Sequence, residues 1–346
     1  MFELMYYIFR KLLAMLKEFK DYFGQCSRDE QDRIIDHLYH IIHTGQVSFD
    51  TAAKNQKPVC LHGKSDRIVA VVKHKDVKKY LCQACHKNFR ETTGTAIMWL
   101  KKKHLFKKYL FCMLLGKSLR ATSLEVGISL QPSHNWRHKV SALFAMVSAG
   151  FFVGIMESKD FFILESQKGN KELEKPARKR GGRATKRGIS EEQIAIIASC
   201  DRSENTDIKV VSRGRISTED IAAVLANKTE NVEVLCTDSY MSYTSYAKRN
   251  KLSHNKINAA KRQKITEKVY HVQNVKNKIS RLRDWMQGFQ GVATKYLQNY
   301  LNWFMVLEKI KPNNNKAASF ISYVLMSRNA WYQWKSLSLN NAFFGT

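Results

Sequence analysis

The stretch VEVLCTDSY at residues 232–240 decides the fold of the second half of the chain. Its aliphatic run at 232–236 has the length and composition of a buried β-strand. Asp238 comes just after this run. A carboxylate at the end of a strand lies at the edge of the sheet, where side chains from separate elements converge. The stretch therefore predicts a core strand followed by a candidate functional aspartate, with helix capping by Asp238 as the alternative.

Strand-like and helical segments surround this stretch. Short segments rich in aliphatic or aromatic residues precede it at 161–165, 193–199 and 208–212. Helical patterns lie at 217–226, at 240–250 and, as one long helix, at 274–305. Three strands followed by helix, strand and helix predict an α/β or α+β core with a central mixed sheet.

A basic loop separates the first two of these strands. Between residues 168 and 187, nine residues are basic and two are acidic. Such a loop is usually a solvated arm, but beside a sheet that carries carboxylates it can follow a phosphate backbone. Its candidate DNA contacts are Arg178, Lys179, Arg180 and Arg183.

Residues 101–145 have the pattern of a helix-turn-helix. One helix ends near Glu125, the chain breaks at Gly127 and Ile128, and a second helix starts after Ser129. A glycine in a short turn followed by an apolar plug is the usual geometry of this motif, although helical bundles use it too. The second helix carries side chains able to reach base edges and phosphates, namely Gln131, Ser133, Asn135, Arg137 and Lys139.

Two cysteine-containing knuckles precede this motif. The first reads Cys60-Leu61-His62-Gly63 and the second reads Cys82-Gln83-Ala84-Cys85. A zinc ribbon uses two such knuckles because the metal replaces a core too small to fold alone. We expect Cys60, His62, Cys82 and Cys85 as zinc ligands. The alternative is a ribbon that has lost its metal, since Gly63 stands where the other cysteine of the first knuckle is expected.

The composition narrows the class of partner. Lys and Arg outnumber Asp and Glu by 58 to 30, which gives a formal charge of +28. This charge concentrates polyanions around the protein and favours nucleic acid, with a solubility surface or ribosome association as the alternative. The longest apolar stretch, at 142–156, is shorter than a membrane span, and the N-terminus lacks a signal-peptide cleavage site. Seven cysteines without a regular spacing argue against a secreted disulfide scaffold, so we expect a location inside the cell.

Five stretches along the chain resemble a known family. They are 87–97 (KNFRETTGTAI), 118–139 (SLRATSLEVGISLQPSHNWRHK), 179–193 (KRGGRATKRGISEEQ), 235–243 (LCTDSYMSY) and 292–304 (VATKYLQNYLNWF). In this order they are similar to insertion-sequence transposases of the DDE type, of the ISXO/Merlin group, and the similarity runs from about residue 13 to 305. The resemblance implies a zinc ribbon, a DNA-binding helix-turn-helix and a ribonuclease-H-like core.

The resemblance also implies a catalytic centre that holds two divalent cations, Mg²⁺ or Mn²⁺. One ion activates the attacking oxygen and the other stabilises the leaving oxygen, and carboxylate and amide oxygens suit both ions. Asp238 matches the second acidic position of the family. Asp160 and Asn274 complete the candidate catalytic set, with Asp160 and Asp238 as the metal ligands.

Two positions depart from the family pattern. Lys159 stands where the first acidic residue is expected, and a lysine ammonium repels divalent cations. Asp160 is the next residue along the strand, so it reaches the same side of the sheet only through a bulge or a deletion. Lys276 and Ile279 stand where an asparagine and a histidine are expected.

These observations leave three functions open. The chain is a transposase that cuts and joins DNA ends, or a catalytically degenerate relic that only binds DNA. A zinc-ribbon transcription regulator is the third, and the strand pattern after residue 160 disfavours it.

We therefore predict a multidomain chain. Its parts are an N-terminal helical segment (1–50), a zinc-ribbon-like β unit (55–97), a helical helix-turn-helix domain (98–146), an α/β ribonuclease-H-like core with a mixed sheet (155–305) and a C-terminal tail (306–346). The expected partners are inverted-repeat ends and target DNA, with a homo-oligomer because transposition joins two ends. The expected location is the bacterial cytoplasm, in association with the nucleoid.

Overall fold

The computed structural model describes Gln25, Ser27 and residues 59–326 apart from short gaps. These gaps are 61, 63–64, 75–76, 91–92, 99, 147–150, 171, 174–180, 239, 258–268 and 314. The predicted helical segment at 2–45 and the part of the tail after residue 326 lie outside the described residues, as do Arg178, Lys179 and Arg180. The chain divides into two units, 1–51 and 52–346, and both of the sheets in the described residues belong to the second unit.

A small antiparallel sheet opens this unit. It contains β1 (Ile68–His74), β2 (Val77–Cys82) and β3 (Asn88–Arg90), paired in that order. Among its described side chains, Cys60, Cys82 and Phe89 form a buried cluster, with Tyr80 stacked on Phe89 at a centroid distance of 5.5 Å. A cluster of this size is small for a stable core, which is the situation in which small modules recruit a metal.

Three helices follow: α1 (Phe106–Leu114), α2 (Leu119–Val126) and α3 (Leu130–Leu143). Ser118 caps α2, because its hydroxyl accepts the backbone N–H of Ala121. Gly127 ends α2 with φ +73°, a left-handed conformation that costs glycine nothing, and the next residue, Ile128, is buried. The two helices and the turn of the predicted motif therefore lie where the sequence places them.

The second half of the unit is built on a five-stranded sheet. Its strands are β4 (Val153–Leu164), β5 (Gln193–Asp201), β6 (Thr206–Arg213), β7 (Asn231–Asp238) and β8 (Ser253–Ile257). They lie in the order β6-β5-β4-β7-β8, with β4, β5 and β6 antiparallel and with β7 and β8 parallel to β4. This mixed sheet, covered by helices, fits a ribonuclease-H-like transposase core.

Helices cover both faces of this sheet. On one face lie α4 (Thr218–Leu225) and α5 (Met241–Arg249), and on the other lie α6 (Gln273–Gln287) and α7 (Leu297–Ile310). The last described helix is α8 (Lys316–Met326). None of the described helices is long and apolar enough to cross a bilayer.

The prediction of one long helix at 274–305 is wrong. The chain leaves α6 after Gln287 and starts α7 at Leu297, with a short 3-10 turn between them. Gln290 and Gly291 have φ values of +56° and +93°, which interrupt helical geometry. The break lets α6 and α7 pack side by side on the same face of the sheet.

Candidate functional site

Asp238 ends strand β7, and its partner is Lys159 on β4, the neighbouring central strand of the sheet. The two strands are parallel and in register, with Ser158 opposite Thr237. Lys159 therefore lies next to Asp238, and its Nζ is 2.5 Å from the Asp238 Oδ2. Each side chain is 27% exposed, so the ion pair is formed at the rim of the sheet and partly withdrawn from water.

Strand alternation decides which side chains share this side of the sheet. Successive residues of a strand point to opposite faces, so Glu157 and Lys159 face α6 while Ser158 and Asp160 face α5. Ser158 donates a hydrogen bond to the Tyr243 hydroxyl on α5 at 3.3 Å, which marks that face. The structure therefore places Asp160 on the face opposite to Lys159.

Asp160 is in an unfavourable place for a charged carboxylate. Burial raises the pKa of Asp160, and the negative charge of Asp238 raises it further. Its Oδ1 is buried and has no hydrogen-bond partner among the described residues. No bulge in the register of β4 and β5 brings this side chain around to the face of Lys159.

Glu157 is a buried carboxylate on the same face as Lys159, and sequence reasoning missed it. Its Oε2 accepts the backbone N–H of Val275 at 3.0 Å, in the first turn of α6. Its Oε1 lies 2.9 Å from Arg202 and 3.4 Å from His271. The carboxylate thus fixes the start of α6 to the central strand, and a helix N-terminus favours negative charge. The available signal was an acidic residue directly after the apolar start of the strand, Gly154-Ile155-Met156.

The third candidate, Asn274, lies in the first turn of α6 and is exposed. Lys276, at the expected asparagine position, is exposed as well. Ile279, at the expected histidine position, is buried in the core between α6 and the sheet. The carboxylate of Asp238 is bonded to Lys159 instead of to any of these three residues.

The side chains around Asp238 do not fit a pair of divalent cations. Such a pair needs several anionic oxygens that converge on one point. Here one oxygen of Asp238 contacts an ammonium, whose charge opposes a metal ion at the same place. Within the described part of the chain, no cluster of three or more acidic, histidine or cysteine side chains forms at this centre.

Three cysteines do form such a cluster. The sulfur atoms of Cys60, Cys82 and Cys85 all lie within 4.8 Å of one another. The backbone N–H of Cys85 lowers the pKa of Cys82 to about 7, so a thiolate is accessible near neutral pH. Thiolates are preferred zinc ligands, and the three sulfurs fit three corners of a tetrahedron. His62 is exposed and is not a member of this cluster.

Three of the five predicted DNA contacts on α3 are instead buried. Arg137 donates to the Lys117 carbonyl at 2.7 Å and lies over the rings of Phe289 and Trp303, at 5.8 and 5.0 Å. The Ser133 hydroxyl and the Lys139 ammonium donate to backbone carbonyls of the interior. These side chains stabilise the docking of α3 on the rest of the unit, and the structure removes them from the candidate DNA surface.

Gln131 and Asn135 remain on that surface. Gln131 is exposed and Asn135 half-buried, and the Gln131 Nε2 donates to the Asn135 Oδ1 at 3.0 Å. Arg120 on α2 is exposed, as is Arg183 of the basic loop. The part of α3 that is open to a partner is therefore its first turn.

Comparison with known proteins assigns the second half of the chain to a class. Residues 165–305, from the end of β4 to α7, match the family model of the ISXO2-like transposase domain. The five-stranded mixed sheet fits a domain of this kind. Residues 165–305 are therefore similar to ISXO2-like transposase domains of the DDE type.

Other comparisons add little. Solved structures of the Mos1 transposase, among them a pre-cleavage transpososome, cover 69% of this chain and 80% of that one at 10% identity and a TM-score of 0.25. A paired-end complex with the left transposon end covers 69% and 79% at 10% identity and a TM-score of 0.28. TM-scores this low carry no weight for fold or function. No curated protein matches the chain.

Proposed function

We propose that this transposase-family protein binds the DNA ends of an insertion sequence but does not cleave them, because Asp238 does not serve as a metal ligand. The ion pair between Lys159 and Asp238, at 2.5 Å, carries the proposal. In a two-metal centre this carboxylate would contact a cation of charge +2, whereas here a covalently attached cation of charge +1 takes that place. The family implies dependence on a divalent metal, and this chain departs from it at that ligand.

DNA binding is supported by charge and by the open part of the helix-turn-helix. The chain carries a formal charge of +28, and Lys101, Lys102 and Lys103 before α1 are all exposed. In a helix-turn-helix, the start of the second helix contacts base edges while the first helix crosses the phosphate backbone. Gln131 on α3 and Arg120 on α2 have these positions and are both exposed.

The cysteine cluster would serve as a structural zinc site of this protein. Cys60, Cys82 and Cys85 would hold the ion, which would supply folding energy to the small β1–β3 sheet. The fourth ligand would come from outside this group, with His62, two residues after Cys60, as the candidate that the sequence analysis predicts.

An active transposase is the second candidate. Asp160 carries the observation in its favour, a buried carboxylate oxygen that lacks a hydrogen-bond partner among the described residues. For that role the strand would have to rotate so that Asp160 replaced Lys159 beside Asp238.

A cleavage assay on the gene's own flanking DNA separates the two candidates. The full chain is incubated with Mn²⁺ and a labelled duplex, and binding is followed in parallel by fluorescence anisotropy. We expect binding without cleavage, and an affinity that falls steeply with salt because phosphate contacts release counterions. Cleavage by the wild type that disappears in Asp238→Asn would refute the proposal. Loss of binding as well as cleavage would refute the DNA-binding function itself.

A variant pair sharpens this assay. Lys159→Asp restores the acidic residue beside Asp238, and Lys159→Met removes the ammonium without adding a ligand. We expect Mn²⁺-dependent nicking only in Lys159→Asp. Nicking by Lys159→Met at the same rate as by Lys159→Asp would show that loss of the ammonium is sufficient and that position 159 supplies no metal ligand.

A further inference from the structure

The first turn of α3 presents an apolar and an amide side chain next to each other. Leu130, the first residue of the helix, is 47% exposed, and Gln131 is exposed beside it. The opposite side of α3 is closed, because Trp136, Arg137 and Val140 are buried. A partner that binds α3 from outside the chain would therefore contact Leu130 and Gln131.

The hydrogen bond within this turn orients the Gln131 amide. One N–H of the Gln131 Nε2 is donated to the Asn135 Oδ1 at 3.0 Å. The second N–H and the Oε1 are left for a partner that offers an acceptor and a donor side by side. The adenine edge in the major groove has this arrangement, with N7 as acceptor and the N6 amino group as donor.

Leu130 supplies a complementary apolar contact. The major groove displays one apolar group, the 5-methyl of thymine, which aliphatic side chains recognise. We propose, on the basis of the proposed DNA-binding function, that Leu130 and Gln131 read an A·T-containing step in the major groove. Gln131 pairs with the adenine edge, Leu130 packs on a thymine methyl, and Asn135 positions the Gln131 amide.

Charge identifies DNA, rather than a second protein, as the occupant of this surface. Arg120 is exposed on α2, the helix that crosses the phosphate backbone in this motif. The described residues of α2 and of the first turn of α3 include one acidic side chain, Glu125, and it is paired with Lys117. Because Glu125 is paired, the exposed guanidinium of Arg120 is the charge that this surface presents to phosphates.

The test begins with selection of bound duplexes from a library of random sequence by the full chain. Each thymine of the selected site is then replaced by deoxyuridine, which removes the 5-methyl group and leaves the hydrogen-bonding edge unchanged. We expect one thymine at which this replacement weakens wild-type binding about fourfold, the effect of one buried methyl-sized group. Leu130→Ala should bind the thymine and deoxyuridine duplexes equally.

Leu124 provides the matched control. It is 83% exposed on α2, outside the helix assigned to the groove, so Leu124→Ala should keep the fourfold discrimination. Gln131→Ala should lose at least fivefold in affinity for the selected site and discriminate less against a G·C replacement of its A·T pair. The leucine variants change exposed side chains, so we expect them to fold, and circular dichroism checks this.

Several outcomes would overturn the inference. One is that no thymine can be replaced by deoxyuridine with a loss of binding. The others are that Leu130→Ala still prefers the thymine duplex to the deoxyuridine duplex, and that Leu124→Ala loses this preference as Leu130→Ala does. A change of oligomeric state in Leu130→Ala, without a change in base preference, would assign this surface to a second copy of the chain. Failure to select any duplex would instead refute the proposed DNA-binding function.

Discussion

The imidazole of His138 is buried between α3 and the 3-10 turn before α7, and it makes folding sensitive to acid. Its ring stacks on Tyr296 at a centroid distance of 4.0 Å, and the Asn299 amide lies 3.4 Å from its Nδ1. Burial, followed by the neighbouring His134 and Arg137, lowers the pKa of His138 to about 3. The ring is therefore neutral in the folded protein between pH 5 and pH 7.

The size of the effect can be worked out from proton linkage. An unfolded histidine titrates near pH 6.5, so between pH 7 and pH 5 the unfolded chain takes up most of one proton that the folded chain does not. Stability from this group is fully present above the unfolded pKa and is lost as the pH falls toward the folded one. The expected loss between pH 7 and pH 5 is about 2 kcal/mol of unfolding free energy.

Urea unfolding of the wild type and of His138→Phe at both pH values measures this loss. Phenylalanine keeps a ring on Tyr296 but cannot take up a proton, so the variant should lose about 2 kcal/mol less than the wild type between pH 7 and pH 5. Equal losses in the two proteins would refute the assignment of His138 as a buried neutral group.

Two further predictions concern the interior and the cysteine cluster. Arg137→Met should lower the unfolding free energy by about 3 kcal/mol or more, because it leaves buried carbonyl and hydroxyl acceptors unpaired. Arg120→Met, at an exposed position, should change the unfolding free energy by no more than about 0.5 kcal/mol. Similar changes in both variants would show that Arg137 does not stabilise the interior. The purified chain should contain one zinc ion per molecule by atomic emission. Cys85→Ser should lose this zinc, whereas Cys112→Ala, at a buried cysteine outside the cluster, should keep it. A wild type without metal would rule out the proposed zinc site.

Four of the five strands of the central sheet, all but β8, could be predicted because their signal is local. Aliphatic runs at β5 and β7 and the aspartate after β7 follow directly from burial and alternation. The sequence predicts only the last third of strand β4, because Glu157, Ser158, Lys159 and Asp160 interrupt its apolar pattern. Glu157, Ser158 and Lys159 have partners in the tertiary structure, and a single sequence does not reveal such partners.

The surface of α3 could not be predicted for the same reason. Ser133, Arg137 and Lys139 look like a polar helix face in the sequence, but in the interior they contact backbone carbonyls and aromatic rings from distant segments. Polarity alone does not distinguish a side chain that meets DNA from one that meets a buried carbonyl. Gln131 and Asn135 differ from them only in being accessible, which is a property of the fold.

Binding of Mn²⁺ to the full chain, followed by electron paramagnetic resonance of the free ion, tests most directly the claim that Lys159 replaces a metal at Asp238. We expect the wild type and Asp238→Asn to bind Mn²⁺ alike, and Lys159→Asp to gain binding that a further Asp238→Asn change removes. Stoichiometric binding by the wild type that is lost in Asp238→Asn would contradict the claim.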